Sequence, residues 1–137
     1  MEWSNEISFS SFNDAWMTFN THYNNSNVTL EQFLMATKKG NYVMWNFADL
    51  INNNVENMSI KRLYAPSIYE AYPLDDRPRG MNDIESVKFH IINKHTSPCI
   101  IIKYMDNYIL LDGMHRLVAS SINKLPKIHV LIIVIDK

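Results

Sequence analysis

Apolar residues in the first fifty positions recur at spacings of three and four. Phe9, Phe12, Trp16, Phe19 and Tyr23 fall on one face of a helix. Ser11 with Asp14 three residues later resembles a capping start, which would begin that helix near Phe12 rather than Phe9. Thr29 and Gln32 form a clearer capping box ahead of a stripe of Leu30, Phe33 and Leu34, and Gly40 supplies the stop. A third helix over 42–52 would turn Val43, Phe47, Leu50 and Ile51 inward. An aromatic stripe at helical spacing is a core-packing pattern before it is a base-stacking platform. The three asparagines at 52–54 make a polar connector and a natural boundary.

The pattern then changes. Residues 58–64 read as a short strand, and 65–80, with Pro66, Pro73 and Pro78, as an ordered irregular loop. Asn82 and Glu85 form another capping box and start a helix carrying Ile84, Val87 and Ile91. Pro98 introduces a β-branched run at Cys99–Tyr104, residues 105–107 supply turn chemistry, and 108–111 return as a second strand. Asp112 and Gly113 break that strand, 114–123 have the composition of a helix, and Leu125-Pro126 end it. Residues 127–135 read as a strand apolar on both faces. The expected fold is α/β (α+β): a small mixed-sheet core over 58–137, with a helical extension over 1–57 packed on it.

Composition narrows the function classes. A chain of 137 residues that is 47% hydrophobic holds one ordinary core. Thirteen basic residues against fourteen acidic argue against a dedicated non-specific nucleic-acid binder, which needs a concentrated basic surface. Residues 1–60 carry a net charge of −4 and 61–137 a net of +3, so an anionic ligand should prefer the second half. Cys99, the single cysteine, can form no internal disulfide, and no Cys/His group has zinc spacing. The longest apolar run, 130–135, is too short to cross a bilayer, and Glu2, Asn5 and Glu6 do not suit a signal peptide. The expectation is a soluble, cytoplasmic protein with no membrane partner.

The chemically loaded segment is Leu111-Asp112-Gly113-Met114-His115-Arg116. Gly113 permits a tight turn and close backbone approach. The amides that follow it, at a helix start, are unpaired donors aligned with the helix dipole, an arrangement suited to phosphate. Gly113, Met114, His115 and Arg116 are therefore phosphate-binding candidates, Arg116 as a bidentate clamp and His115 as a titratable donor. Asp112 can cap the helix or hold a magnesium ion that carries nucleotide phosphates. Arg77 and Arg79 can complete an anion pocket from the proline-rich loop. Glu70, Asp75 and Asp76 are candidates for a general base or metal support, because phosphoryl transfer needs a carboxylate to orient its nucleophile. The competing assignment is structural: a capping Asp112, a turning Gly113, and hydrogen bonds from His115 and Arg116 to the fold. His22, His90 and His95 have no carboxylate or cysteine at informative spacing, and His129 alternates along a strand as a core or rim residue.

The segments NDIESVKFHIIN, PCIIIKY, YILLDGMHRLVAS and KLPKIHVLIIVI, in that order, resemble the ParB/sulfiredoxin-like superfamily over roughly residues 58–137. The resemblance implies a box that holds nucleotide phosphates, with ATP or ADP and Mg2+ as cofactors. The Asp-Gly-x-His-Arg form is closest to the free-serine kinase branch, which implies a small hydroxylated acceptor and catalytic roles for Asp112 and His115. Sulfiredoxins carry a reactive cysteine where this chain has Met114, so their reductase chemistry lacks its nucleophile here. Cys99, on a strand expected to be buried, reads as an inert core residue. Partition proteins of the superfamily have a Gly-x-Arg-Arg box and a helix-turn-helix after the core. Here the sequence stops at Lys137, directly after the last strand, and DNA is not expected as a partner. The LDDRPR segment loosely resembles their Gln-Pro-Arg loop. Two classes follow: a nucleotide-dependent kinase or ATPase, or a non-catalytic ParB-like module that binds a protein, through the N-terminal helices, or DNA. A ParB-like nuclease is a third.

Overall fold

A computed structural model describes residues 2–3, 5–73, 78–93 and 95–135, by backbone only at 2–3, 78–81 and 95–96. After β1 (Glu2–Trp3), helix α1 (Phe9–His22) starts three residues earlier than the Ser11 signal suggests. Ser8 is its cap, its hydroxyl accepting the Ser11 amide at 3.0 Å, and Ser11 itself is buried for another purpose. Helix α2 (Leu30–Lys38) begins at the expected Thr29–Gln32 capping box.

The helix expected over 42–52 is instead two elements. Residues Asn41–Trp45 form strand β2, and α3 (Phe47–Asn52) starts after a reciprocal Asn46–Asp49 box. The alternation of exposed Tyr42 and Met44 with half-buried Val43 and Trp45 is the period of a strand, and the pairing of β2 with the last strand overrides the local helical spacing. The strand expected at 58–64 is likewise a short helix, α4 (Ile60–Leu63), because the Ser59 hydroxyl caps the Arg62 amide. The proline-rich stretch contains α5 (Ile68–Ala71), capped by Ser67, and the start of α6 (Pro78–Ile92). Pro78 tolerates the first helical position, where its missing N–H costs nothing, so α6 begins four residues before Asn82.

A two-residue strand that the sequence pattern did not predict, β3 (His95–Thr96), comes first, and the final elements then follow the expected order: β4 (Cys99–Tyr104), β5 (Asn107–Asp112), α7 (Met114–Ile122) and β6 (Ile128–Ile135). Met105 and Asp106 both have positive φ, 51° and 65°, which gives the β4–β5 hairpin a two-residue turn matched to strand twist. The main sheet has the order β2-β6-β4-β5, with β4 and β6 parallel and the other neighbours antiparallel. Glu56 extends it past β5, bonding to the backbone of Tyr108 and Leu110. The fold is α+β.

Helices α1 and α2 cover one sheet face, where Phe19 and Phe33 pack on Ile100, Ile102, Leu131 and Ile133. On the other face Leu50, Leu63 and Leu117 cover Ile101, Leu110 and Val130. Tyr72, Ile84 and Val87 of the α5–α6 segment then pack over Val118 of α7. Strands β4 and β6 are thus apolar on both faces because both faces are covered. The segment 1–57 is not a purely helical extension: β2 edges the same sheet, and Leu50 and Val55 sit in its core. Among the described residues no helix is long and apolar enough to cross a membrane.

Candidate functional site

Strand β5 ends at Asp112, Gly113 turns the chain at φ +116°, and α7 starts at Met114. The turn passes directly over β4: a Cβ at Gly113 would lie 2.8 Å from the Cys99 sulfur and 3.0 Å from its Cα. Gly113 is the cap residue and no side chain caps the helix, so the first-turn amides of α7 have no intrahelical partner. They border a cleft of about 180 Å³ lined by Asn57 and residues 110–115. Asn57 donates its side-chain amide to the Leu110 carbonyl at 2.9 Å and fixes one wall.

Asp112 does not cap α7. Its Oδ2 accepts a hydrogen bond from Arg116 Nη2 at 2.5 Å, one helical turn on. Nor does Arg116 reach outward as the expected phosphate clamp. Its side chain is buried, with Nη2 also donating to the Ser11 hydroxyl at 2.9 Å and Nη1 to the carbonyls of Pro98 at 2.6 Å and Ser97 at 3.4 Å. Each terminal nitrogen already meets two acceptors, so the guanidinium pins α1, the lead into β4 and the end of β5 beneath the turn. Buried charge held by a carboxylate and three further oxygens is the arrangement such burial requires.

His115 stays at the cleft. Its Nε2 lies 2.8 Å from Asp83 Oδ1 on α6, and its ring packs against Tyr72. Seven residues beyond Asp83, on the same face of α6, His90 lies close enough to feel both Arg116 and His115. Burial first, then the Arg116 guanidinium and electrostatic interaction with His115, push its pKa down to about 4. The sequence pattern does not single out Asp83, and it sets His90 aside for want of a carboxylate at informative spacing; the signal is their 83, 87, 90 spacing with Val87, which puts them on the buried side of α6.

This neutral His90 has a measurable consequence. In the unfolded chain it gains a proton near its ordinary 6.5, in the folded chain only near 4. Between these values the unfolded state binds more protons, so stability is full above about pH 6.5 and is lost as pH falls through 4. Allowing for solvent screening of a half-buried ring, His90 should account for about 1–2 kcal/mol of that loss. Urea melts of wild type and His90→Gln at pH 7.5 and 4 should show a smaller decline in the variant. An equal decline would mean that His90 takes up its proton at the same pH in the folded and unfolded chain.

Cys99 is buried, and burial pushes its thiol up to about 12, so no thiolate is present to act as a nucleophile. Its sulfur lies 3.5 Å from the Gly113 carbonyl. Met114 packs its side chain into the layers on both sides of α7. Glu70 is exposed on α5 and its carboxylate joins no hydrogen bond or ion pair among the described residues. Asp75, Asp76 and Arg77 lie outside the described residues, as does the side chain of Arg79 in α6. Among the described residues no group of three or more His, Cys, Asp or Glu could hold a metal ion. Compared with family models, curated proteins and solved structures, the chain matches none.

Proposed function

We propose that the protein holds the phosphates of ATP or ADP at the amino terminus of α7 and transfers or hydrolyses a phosphoryl group there. The supporting observation is the conjunction, at one cleft, of the uncapped amides after Gly113 with the Asp83-held imidazole of His115. Free amides and the helix dipole favour an anion at this point. With Nε2 engaged by Asp83, His115 has Nδ1 as its remaining nitrogen, a donor to a phosphate oxygen when protonated. Arg116 acts behind the turn, fixing its geometry rather than touching the ligand. A cleft of about 180 Å³ accommodates a phosphate or short phosphate chain, and the nucleoside would extend out of it. The likeness of the Asp-Gly-x-His-Arg box to the free-serine kinase branch supports the same reading and suggests a small hydroxylated acceptor.

Asp112 lines the cleft, and with Oδ2 taken by Arg116 its Oδ1 is the oxygen that would hold Mg2+. One carboxylate with phosphates as the remaining ligands is a common way to bind this ion, which supplies charge neutralisation. Glu70, exposed on α5, does not line the cleft, so Asp112 and His115 carry the chemistry of this reading.

Calorimetry with ATP and ADP in Mg2+ tests the reading. His115→Ala removes a hydrogen bond to a charged group and should weaken binding by roughly tenfold to a hundredfold. His115 is only half-buried, so the variant should stay folded. Unchanged affinity in this variant, or no binding by wild type, would overturn the proposal. A second reading is a non-catalytic module that binds a protein partner, favoured by the internal use of Arg116 and by Asp112 being the one carboxylate among the described residues lining the cleft. Nucleotide binding without turnover would select it.

A further inference from the structure

On the opposite sheet face, α1 and α2 leave a cleft of about 600 Å³ between them. Its floor is aromatic: Phe12 and Trp16 rest on the buried ring of Phe33, with centroids 5.6 and 5.1 Å away. Phe9, Leu30 and Leu34 form the walls and stand 80%, 49% and 38% exposed. Three large apolar side chains exposed around one concavity leave a contiguous surface that water solvates poorly. The volume and the apolar lining are those of a small-molecule site.

Asn13 and Tyr42 add neutral polar groups to the lining, and the three other polar side chains narrow the ligand. The Ser8 hydroxyl is occupied in capping α1, and the Thr37 hydroxyl donates to the Phe33 carbonyl. Lys38 is different: it lines the cleft and its ammonium joins no ion pair or hydrogen bond among the described residues. The last turn of α2 is followed by a second lysine, Lys39, that does not line the cleft, so complementing the helix dipole does not require Lys38 to do so. One unpaired cation beside an aromatic and aliphatic cavity is complementary to an apolar body ending in a single negative charge.

We propose that this cleft binds an amphipathic monocarboxylate, its alkyl chain along Phe9, Phe12, Trp16, Leu30 and Leu34 and its carboxylate at Lys38. The ligand is a free acid of the fatty-acid class. The Lys38 contact selects for charge and the walls for length, as expected of a pocket with many apolar contacts and few polar ones. The site is independent of the α7 cleft.

Calorimetry with dodecanoate, below the concentration at which it forms micelles, tests the proposal. One equivalent should bind, at least about tenfold more tightly than dodecanol or dodecyltrimethylammonium, which lack the negative group. Lys38→Glu should lose at least tenfold in dodecanoate affinity, and Phe9→Asp a similar factor. Both side chains are exposed, and circular dichroism should show the folds intact. Equal binding of the alcohol, unchanged binding by Lys38→Glu, or uptake of several equivalents would overturn the assignment. So would binding to phosphatidylglycerol vesicles without binding of dodecanoate, which would make the cleft a membrane contact. A dimer seen by light scattering and abolished by Phe9→Asp would make it an interface between copies.

Discussion

Replacing Arg116 with Ala should cost about 3–5 kcal/mol of folding stability, a large fraction of what a domain this size possesses. The truncation leaves the Asp112 carboxylate without its cation in a site that is mostly closed to water. It also removes the donor from the Ser11 hydroxyl and from the Pro98 and Ser97 carbonyls. The carboxylate left without its cation sets the scale of that loss, and the three neutral acceptors add to it only as far as they fail to find other donors. Ser11→Ala, which removes one acceptor of four and leaves the ion pair, should cost only about 1 kcal/mol. Urea denaturation of the two variants measures both. The opposite outcome, a stable Arg116→Ala protein with nucleotide affinity lost, would restore Arg116 to the role of a ligand.

Arg116 also shows where the sequence was readable and where it was not. The box was visible because its residue order dictates local geometry: a strand end, a glycine, and a helix start are written in adjacent positions. The direction of the guanidinium was not, because its partners lie elsewhere in the chain, at Ser11, Ser97 and Pro98. An arginine beside a phosphate-type turn looks the same in sequence whether it faces the ligand or the core. The strand β2 was hidden for a related reason. Its alternation spans five residues, too short to outweigh the helical spacing of Val43, Phe47 and Leu50, and its partner β6 lies some ninety residues on. Asp83 went unnoticed and His90 was set aside because a face of α6 acquires chemistry only when α7 packs beside it. In contrast, the β4–β5 hairpin, α7 and β6 were legible because turn residues, the Pro126 stop and β-branched runs act locally.

Gly113→Ala is the other variant expected to be severe, by about 3–5 kcal/mol. Two costs combine. A φ of +116° is strained for any residue with a Cβ, worth about 1–3 kcal/mol. The added methyl must also enter a space already filled, 2.8 Å from the Cys99 sulfur and 3.0 Å from the Cα and Cβ of the same residue. Overpacking of this kind costs about another 1–3 kcal/mol, and backbone cannot rotate away as a flexible side-chain tip can. Cys99→Ala separates the contributions, since it deletes the sulfur and keeps Cα and Cβ. The double variant Gly113→Ala with Cys99→Ala should therefore recover less than half of the loss, because φ and two of the three close contacts persist. Thermal and urea melts of the four proteins form the cycle. Should the double variant regain full stability, the sulfur alone would be the obstacle and the backbone would be free to adopt the turn with a side chain. If instead α7 lifts off β4 to admit the methyl, the amides of Met114 and His115 move with it. Any nucleotide affinity would then fall together with stability, even though no ligand-facing side chain has been changed.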